Sequence, residues 1–194
     1  MSNKHHHFGG RTLARAQALQ LLFQAEATDR TVYEVLEGDY ALSQGPLDPF
    51  GEMLARGADD MRHELDAVIS ATSSNWSVSR MPSVDRNLLR LALYEMLEVD
   101  EVAIAVTIDE SVELAKAFGS DESPKFINGV LGRVASKMDK GVDVVAEAKR
   151  LEAERAAHEG AEDAEDDECE GAGVEVRDEA AEAVGADDEG LGEE

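Results

Sequence analysis

Apolar side chains recur along residues 11–140 at the three-to-four-residue spacing of helix faces, and glycines and prolines cut the pattern into segments. Gly9-Gly10 precedes a helix predicted over 11–27, whose apolar set includes Leu19, Leu21, Leu22 and Phe23. A short helix over 31–43 is expected to end at Gly45-Pro46, and Pro49 to Asn75 reads as one long or kinked helix carrying Met53, Leu54, Met61, Leu65, Val68 and Ile69. Pro82-Ser83-Val84-Asp85 opens a helix in which Leu88, Leu89, Leu91, Ala92, Leu93, Met96 and Leu97 point in nearly all directions, the mark of a central, mostly buried element. Thr107-Ile108-Asp109-Glu110 has the form of a capping box and predicts a helix over 108–118, stopped by Gly119. Ser123-Pro124 starts another over 124–138, with Ile127, Val130, Leu131 and Val134 on one face. Its Gly129 and Gly132 each cost about 1 kcal/mol relative to alanine, so a neighbouring backbone is expected to come close there. The reading is all-α: six helices in two groups of three, with the break near Ser73 to Pro82.

Charge changes this picture only at the ends. The chain carries 43 acidic and 18 basic side chains, net −25, but residues 1–140 account for −8 and residues 141–194 for −17. The body therefore spans residues 11–140 behind a flexible N-terminus of residues 1–10. Residues 141–158 favour a helix without a broad apolar stripe, expected to fray from the core. Residues 159–194 are mostly Ala, Glu, Asp and Gly with no aromatic, an acidic tail expected to be disordered because it has too little apolar surface to offset chain entropy.

A single cysteine excludes a disulfide framework, and no run approaches the roughly 18 apolar residues of a membrane helix, so a reduced, cytoplasmic, soluble protein is expected. Catalytic chemistry is scarce. His5, His6 and His7 are terminal, His158 lies near the tail, His63 stands alone in the body, and Cys169 sits in an acidic run that disfavours its thiolate. No phosphate-cradling loop, H-E-x-x-H or paired cysteines occur, so no enzyme, cofactor or metal site is expected. The acidic run over 162–170 lacks calcium-loop spacing and holds only a diffuse ion atmosphere.

Three segments together resemble one family. Arg11-Thr12-Leu13-Ala14-Arg15-Ala16-Gln17-Ala18-Leu19-Gln20-Leu21-Leu22-Phe23-Gln24 is similar to the opening helix of the NusB transcription antitermination factors, and Leu88-Leu89-Arg90-Leu91-Ala92-Leu93-Tyr94-Glu95 to their central helix. Glu110-Ser111-Val112-Glu113-Leu114-Ala115-Lys116, then Phe118-Gly119, then Lys125-Phe126-Ile127-Asn128-Gly129-Val130-Leu131 resembles the family's most specific stretch. The likeness covers about residues 11–138. It implies two three-helix subdomains, and a protein that pairs with ribosomal protein NusE and binds boxA RNA in nascent transcripts. With RNA polymerase and other Nus factors, such proteins promote processive transcription of ribosomal RNA operons, and no bond is made or broken. The same fold leads certain ribosomal RNA cytosine methyltransferases, but no catalytic domain is expected after the body here.

The resemblance assigns RNA contacts to Arg11, Arg15, Lys125 and Phe126, and sets Glu122 near the RNA, where its carboxylate limits affinity by repelling phosphate. It points to Phe23 and Asp85 as contacts for NusE. Plainer roles stay open: Arg11 and Arg15 solvating one helix face, Phe23 and Phe126 as core, and Asp85 favouring the helix macrodipole. Arg90 and Glu95, inside an apolar helix, are expected to be structural and paired. The chain departs from the family at Thr12 and Leu13, where a denser arginine cluster is usual, and Lys4 compensates only in part. A helical protein–protein adaptor with weak or no specific RNA binding is therefore the alternative. The tail is either merely solvated or competes with RNA for the Arg11 and Arg15 patch.

Overall fold

Helix α5 (Ser83–Glu98) carries Leu88, Leu89, Leu91, Ala92 and Leu93 buried on nearly every side, so it can exist only as the centre of the molecule. The computed structural model describes residues 7–73 and 77–169, with the backbone alone from His158 on. Among these the other helices are α1 (Gly10–Ala27), α2 (Val32–Glu37), α3 (Pro49–Asp60), α4 (Arg62–Thr72), α6 (Ile104–Phe118), α7 (Ser123–Met138) and α8 (Val144–Cys169), with a 3₁₀ turn at Val78–Arg80 and no strand. Helix α1 packs on α2 and α3, and α6 packs on α7. Both groups meet on α5, while α4 lies against α5 and α7. Ile127, Val130, Leu131 and Val134 turn the apolar face of α7 into the core as their spacing predicts.

The chain divides into a body up to Ala156 and a second unit from Ala157, of which the described part is the backbone at the end of α8. In the body, α8 does not fray from its start. Val144 and Ala148 are buried, and Asp143 accepts from the backbone N–H groups of Val145 (3.1 Å) and Ala146 (2.9 Å), capping the first turn. The helix runs to Cys169, past the expected boundary near 158, because residues 146–168 are rich in the strong helix formers Ala and Glu. Residues 170–194, which hold most of the acidic tail, lie outside the described residues, as do His5, His6 and Lys4.

Three local expectations are corrected. The helix from Thr31 ends at Glu37 rather than at residue 43, because Gln17, Gln20 and Gln24 of α1 bind the following chain as a ladder. Gln24 exchanges hydrogen bonds with both backbone groups of Ala41 (2.9 and 3.0 Å), Gln20 accepts from the Ser43 N–H, and Gln17 donates to the carbonyls of Gln44 and Pro46. These bonds hold residues 41–48 along α1 in a non-helical path. The capping box is at Thr31-Glu34, not Thr107-Glu110. Helix α6 begins at Ile104, which leaves Thr107 inside it, buried, with Oγ1 lacking a hydrogen-bond partner. Close backbone approach occurs at Gly51, where a Cβ would meet the Ala14 carbonyl oxygen at 2.5 Å, and not at Gly132, which faces open space. Gly129 has only the Arg133 guanidinium within reach, at 3.7 Å. The predicted helix over 49–75 is kinked, as one alternative allowed: it breaks at Met61 into α3 and α4.

Candidate nucleic-acid interface

The first turn of α5 separates two grooves of different chemistry. On one side Leu19 and Phe23 of α1, Val84 of α5 and Phe118 at the end of α6 line a groove of about 340 Å³ that is almost entirely apolar. Phe23 is 43% exposed there, so it completes no core; it offers a bare ring on the surface. On the other side Pro82, just before α5, and Asp85 of α5 line a larger groove of about 720 Å³ together with Glu122, Lys125, Phe126 and Arg133. The turn between α6 and α7 is built for this. Ser123 Oγ accepts from the Ser120 N–H at 2.9 Å, which fixes the turn so that α7 starts beside α5 and presents Lys125 and Phe126 from its first turn. Phe126 packs partly on the core and partly lines the groove.

Lys125 and Arg133 stand two helical turns apart on α7, both exposed, and neither has an ion-pair partner among the described residues. Gly129 lies midway between them in the sequence, with the Arg133 guanidinium 3.7 Å from where its Cβ would stand. The two cations and the aromatic ring suit a single-stranded polyanion with unstacked bases, while the carboxylates of Asp85 and Glu122 in the same lining oppose non-specific phosphate binding.

The two N-terminal arginines do not share this surface. Arg11 is 54% exposed, with its guanidinium 4.9 Å from the Phe50 ring centroid and 3.7 Å from Glu101. Glu101 follows the far end of α5, so roughly 24 Å, the length of that helix, separates Arg11 from the groove. Arg15 is buried. Its Nε and Nη2 donate to Glu95 at 2.8 Å and 2.5 Å, and Nη1 reaches Glu110 at 3.4 Å, so it ties α1 to α5 and α6 and turns no free donor to solvent. Glu95 is thus paired, as expected. Arg90 is too, through Asp66 at 2.7 Å and Glu26 at 2.8 Å.

A second ionic cluster holds the two grooves in register. Glu26, one turn beyond Phe23 on α1, accepts from Arg86 at 2.5 Å and Arg90 at 2.8 Å, and Arg86 also donates to the carbonyls of Val78 and Met81 at 2.8 Å each. One carboxylate therefore anchors α1, the 3₁₀ turn and the start of α5 together. Burial pushes the Glu26 carboxyl up, but hydrogen bonds from Arg86 and Ser83 and the charges of Arg86 and Arg90 outweigh this and hold it at about 2.

Sequence reasoning missed Arg133 and the position of Asp85. Arg133 carries a signal in hindsight: it lies eight residues after Lys125, hence on the same helix face. Asp85 is not beside Phe23 but across the α5 turn, in the groove with Lys125 and Phe126. Among the described residues no cluster of His, Cys, Asp and Glu is arranged to hold a metal ion, and no helix is long and apolar enough to cross a membrane.

Comparison with known proteins agrees with this architecture. The family model described as "NusB family" matches residues 12–136. The transcription antitermination protein NusB of Bacillus subtilis is 42% identical over 130 residues, 67% of this chain and 98% of that protein. NusB of Rubrobacter xylanophilus is 43% identical over 128 residues, 66% of this chain and 91% of that protein. Among solved structures, T. maritima NusB is 35% identical with a TM-score of 0.58, covering 68% of this chain and 94% of that one. A structure of antitermination factors NusB and NusE in complex with double-stranded RNA shares the fold at 24% identity, with a TM-score of 0.53 over 64% of this chain and 94% of that one. On the family match and the identity to relatives covered almost end to end, this chain belongs to the NusB family of transcription antitermination factors.

Proposed function

We propose that this chain is an RNA-binding antitermination factor that pairs with ribosomal protein NusE and binds boxA RNA in the cytoplasm. In company with RNA polymerase and other Nus factors it promotes processive transcription of ribosomal RNA operons, acting as a clamp that makes and breaks no covalent bond. The observation that supports this most is the pair of grooves on either side of the first turn of α5, one apolar and one lined by Lys125, Arg133 and Phe126 together with the carboxylates of Asp85 and Glu122. Phe23 anchors NusE in the apolar groove. Lys125 and Arg133 contact phosphates, Phe126 offers its face to a base, and Glu122 limits non-specific affinity. Arg11 supplies a phosphate contact at the far end of α5, and Arg15 acts as a brace behind the surface. The net charge of −25 does not oppose this, because exposed charges are screened beyond about 8 Å at physiological salt.

Neutralising roughly 3 to 5 phosphates of a single strand gives a slope of log K against log salt of about −2 to −3.5. The double variant Lys125→Ala/Arg133→Ala is expected to flatten that slope by about 1.4, roughly 0.7 for each cation, and to weaken boxA and scrambled RNA alike. A slope identical to the unmodified chain's contradicts the assignment of the groove. A protein-only adaptor is the second reading, favoured by the burial of Arg15, which removes one of the expected RNA contacts. It predicts NusE binding with no preference for boxA over a scrambled strand.

A further inference from the structure

Phe8 lies two residues ahead of α1, yet the chain there does not lead away from the helix. The Phe8 N–H donates to Oε1 of Gln44 at 3.2 Å, and the Gln44 carbonyl accepts from Gln17, two turns into α1. The segment before the helix is therefore doubled back along its side. Gly10 makes the reversal possible, because its φ of +54° lies in the left-handed region that L side chains rarely adopt. The ring delivered by this path rests on Phe118, with centroids 5.9 Å apart and planes inclined by 30°, within the range of attractive aromatic pairs.

Phe118 is also a wall of the apolar groove, whereas Phe8 is not among the residues that line it. The other walls are fixed by other means. Gln24 and Ala41 are locked to each other by the hydrogen bonds of the glutamine ladder, and Leu19 and Phe23 project from the unbroken length of α1. Phe118 is the last residue of α6, and its side chain has no polar atom to tie it down, so packing alone sets its rotamer. A ring without backing beside an open apolar groove gains burial by turning into it.

Resting on the reading of that groove as the NusE site, we propose that Phe8 is a positioning residue for NusE, backing the Phe118 ring from outside the groove and keeping the groove open for its partner. Phe8 acts through Phe118 and not by touching NusE. The gain lies in preorganisation, since a ring already held in place loses no rotamer freedom when the partner docks. The groove lined by Lys125, Phe126 and Arg133 lies across the first turn of α5 and does not depend on Phe118.

The test measures the affinity of the full chain for NusE, and separately for boxA RNA without NusE, in the unmodified protein, Phe8→Ala, Phe118→Ala and the double variant, with circular dichroism reporting the helices of each. Phe8→Ala is expected to weaken NusE binding about five-fold, the scale of ordering one side chain on docking, and to leave boxA affinity and helix content unchanged. In the Phe118→Ala background the same substitution is expected to alter NusE affinity by less than about two-fold, because the ring it positions is gone. An unchanged NusE affinity in Phe8→Ala overturns the proposal. So does a gain, which makes the doubled-back segment a cover over the groove. A loss that persists in full without Phe118 also overturns it and makes Phe8 a direct contact, and a loss of NusE and RNA binding together counts against it as general damage. If Phe118→Ala weakens NusE binding and Phe8→Ala does not, only this assignment fails. If the unmodified chain does not bind NusE at all, the reading of the apolar groove fails with it.

Discussion

Arg15→Ala is expected to lower the free energy of unfolding by about 3–5 kcal/mol, a fifth or more of the roughly 5–15 kcal/mol that holds a typical domain together. The magnitude follows from what is left behind. Glu95 is 1% exposed, and Arg15 provides its three charged hydrogen bonds, so truncation strands a carboxylate among the leucines of α5. Removing both charges is a different experiment. Arg15→Met combined with Glu95→Leu leaves no ion unpaired and should recover most of the loss, since well-packed apolar replacements of buried ion pairs are often neutral. Urea denaturation of the three chains measures this. An Arg15→Ala midpoint equal to that of the unmodified chain contradicts the brace and returns Arg15 to the surface as an RNA contact.

The second large effect lies at acid pH. The Glu26 carboxyl is held at about 2 in the folded chain against an ordinary value of 4.5. Because the folded value is depressed, its stabilisation is complete above about pH 4.5 and disappears as pH falls from there toward 2. Glu26→Gln removes the carboxylate from between Arg86 and Arg90, and should lower neutral-pH stability by about 2 kcal/mol. That is less than the full shift converts to, since the side chain is 19% exposed and partly screened. The variant's stability should also fall less steeply between pH 4.5 and 2. Parallel acid limbs for the two chains contradict the anchoring role of Glu26.

Much of the fold was legible because its signals are local. The apolar run from Leu88 to Leu97 marks α5 as central, Ser123-Pro124 marks the start of α7, and the breaks at Pro49 and Pro82 are backbone chemistry that tertiary structure rarely overrides. The early end of α2 was not, because it depends on three glutamines of α1 binding a segment about twenty residues downstream. The false capping box at Thr107 has a similar cause: its Glu110 is drawn to Arg15, and the helix starts a turn earlier.

The candidate site divides the same way. Lys125 and Phe126 follow a helix start and could be placed from sequence. Arg11 and Arg15 share the spacing of one helix face, yet that spacing is silent about which of two neighbours meets solvent. The informative sign was Glu95, an acid within the apolar stretch of α5 that needs a buried cation. Asp85 and Phe23 are assigned to one surface by the resemblance, but they stand on opposite sides of a helical turn.

The most direct test of the clamp is an equilibrium titration of the full chain with boxA RNA and with a scrambled strand of equal length, each with and without NusE. Tighter binding of boxA than of the scrambled strand, strengthened further when NusE is present, is the predicted result. A chain that shows no affinity for NusE and holds the two strands equally in its presence contradicts the account.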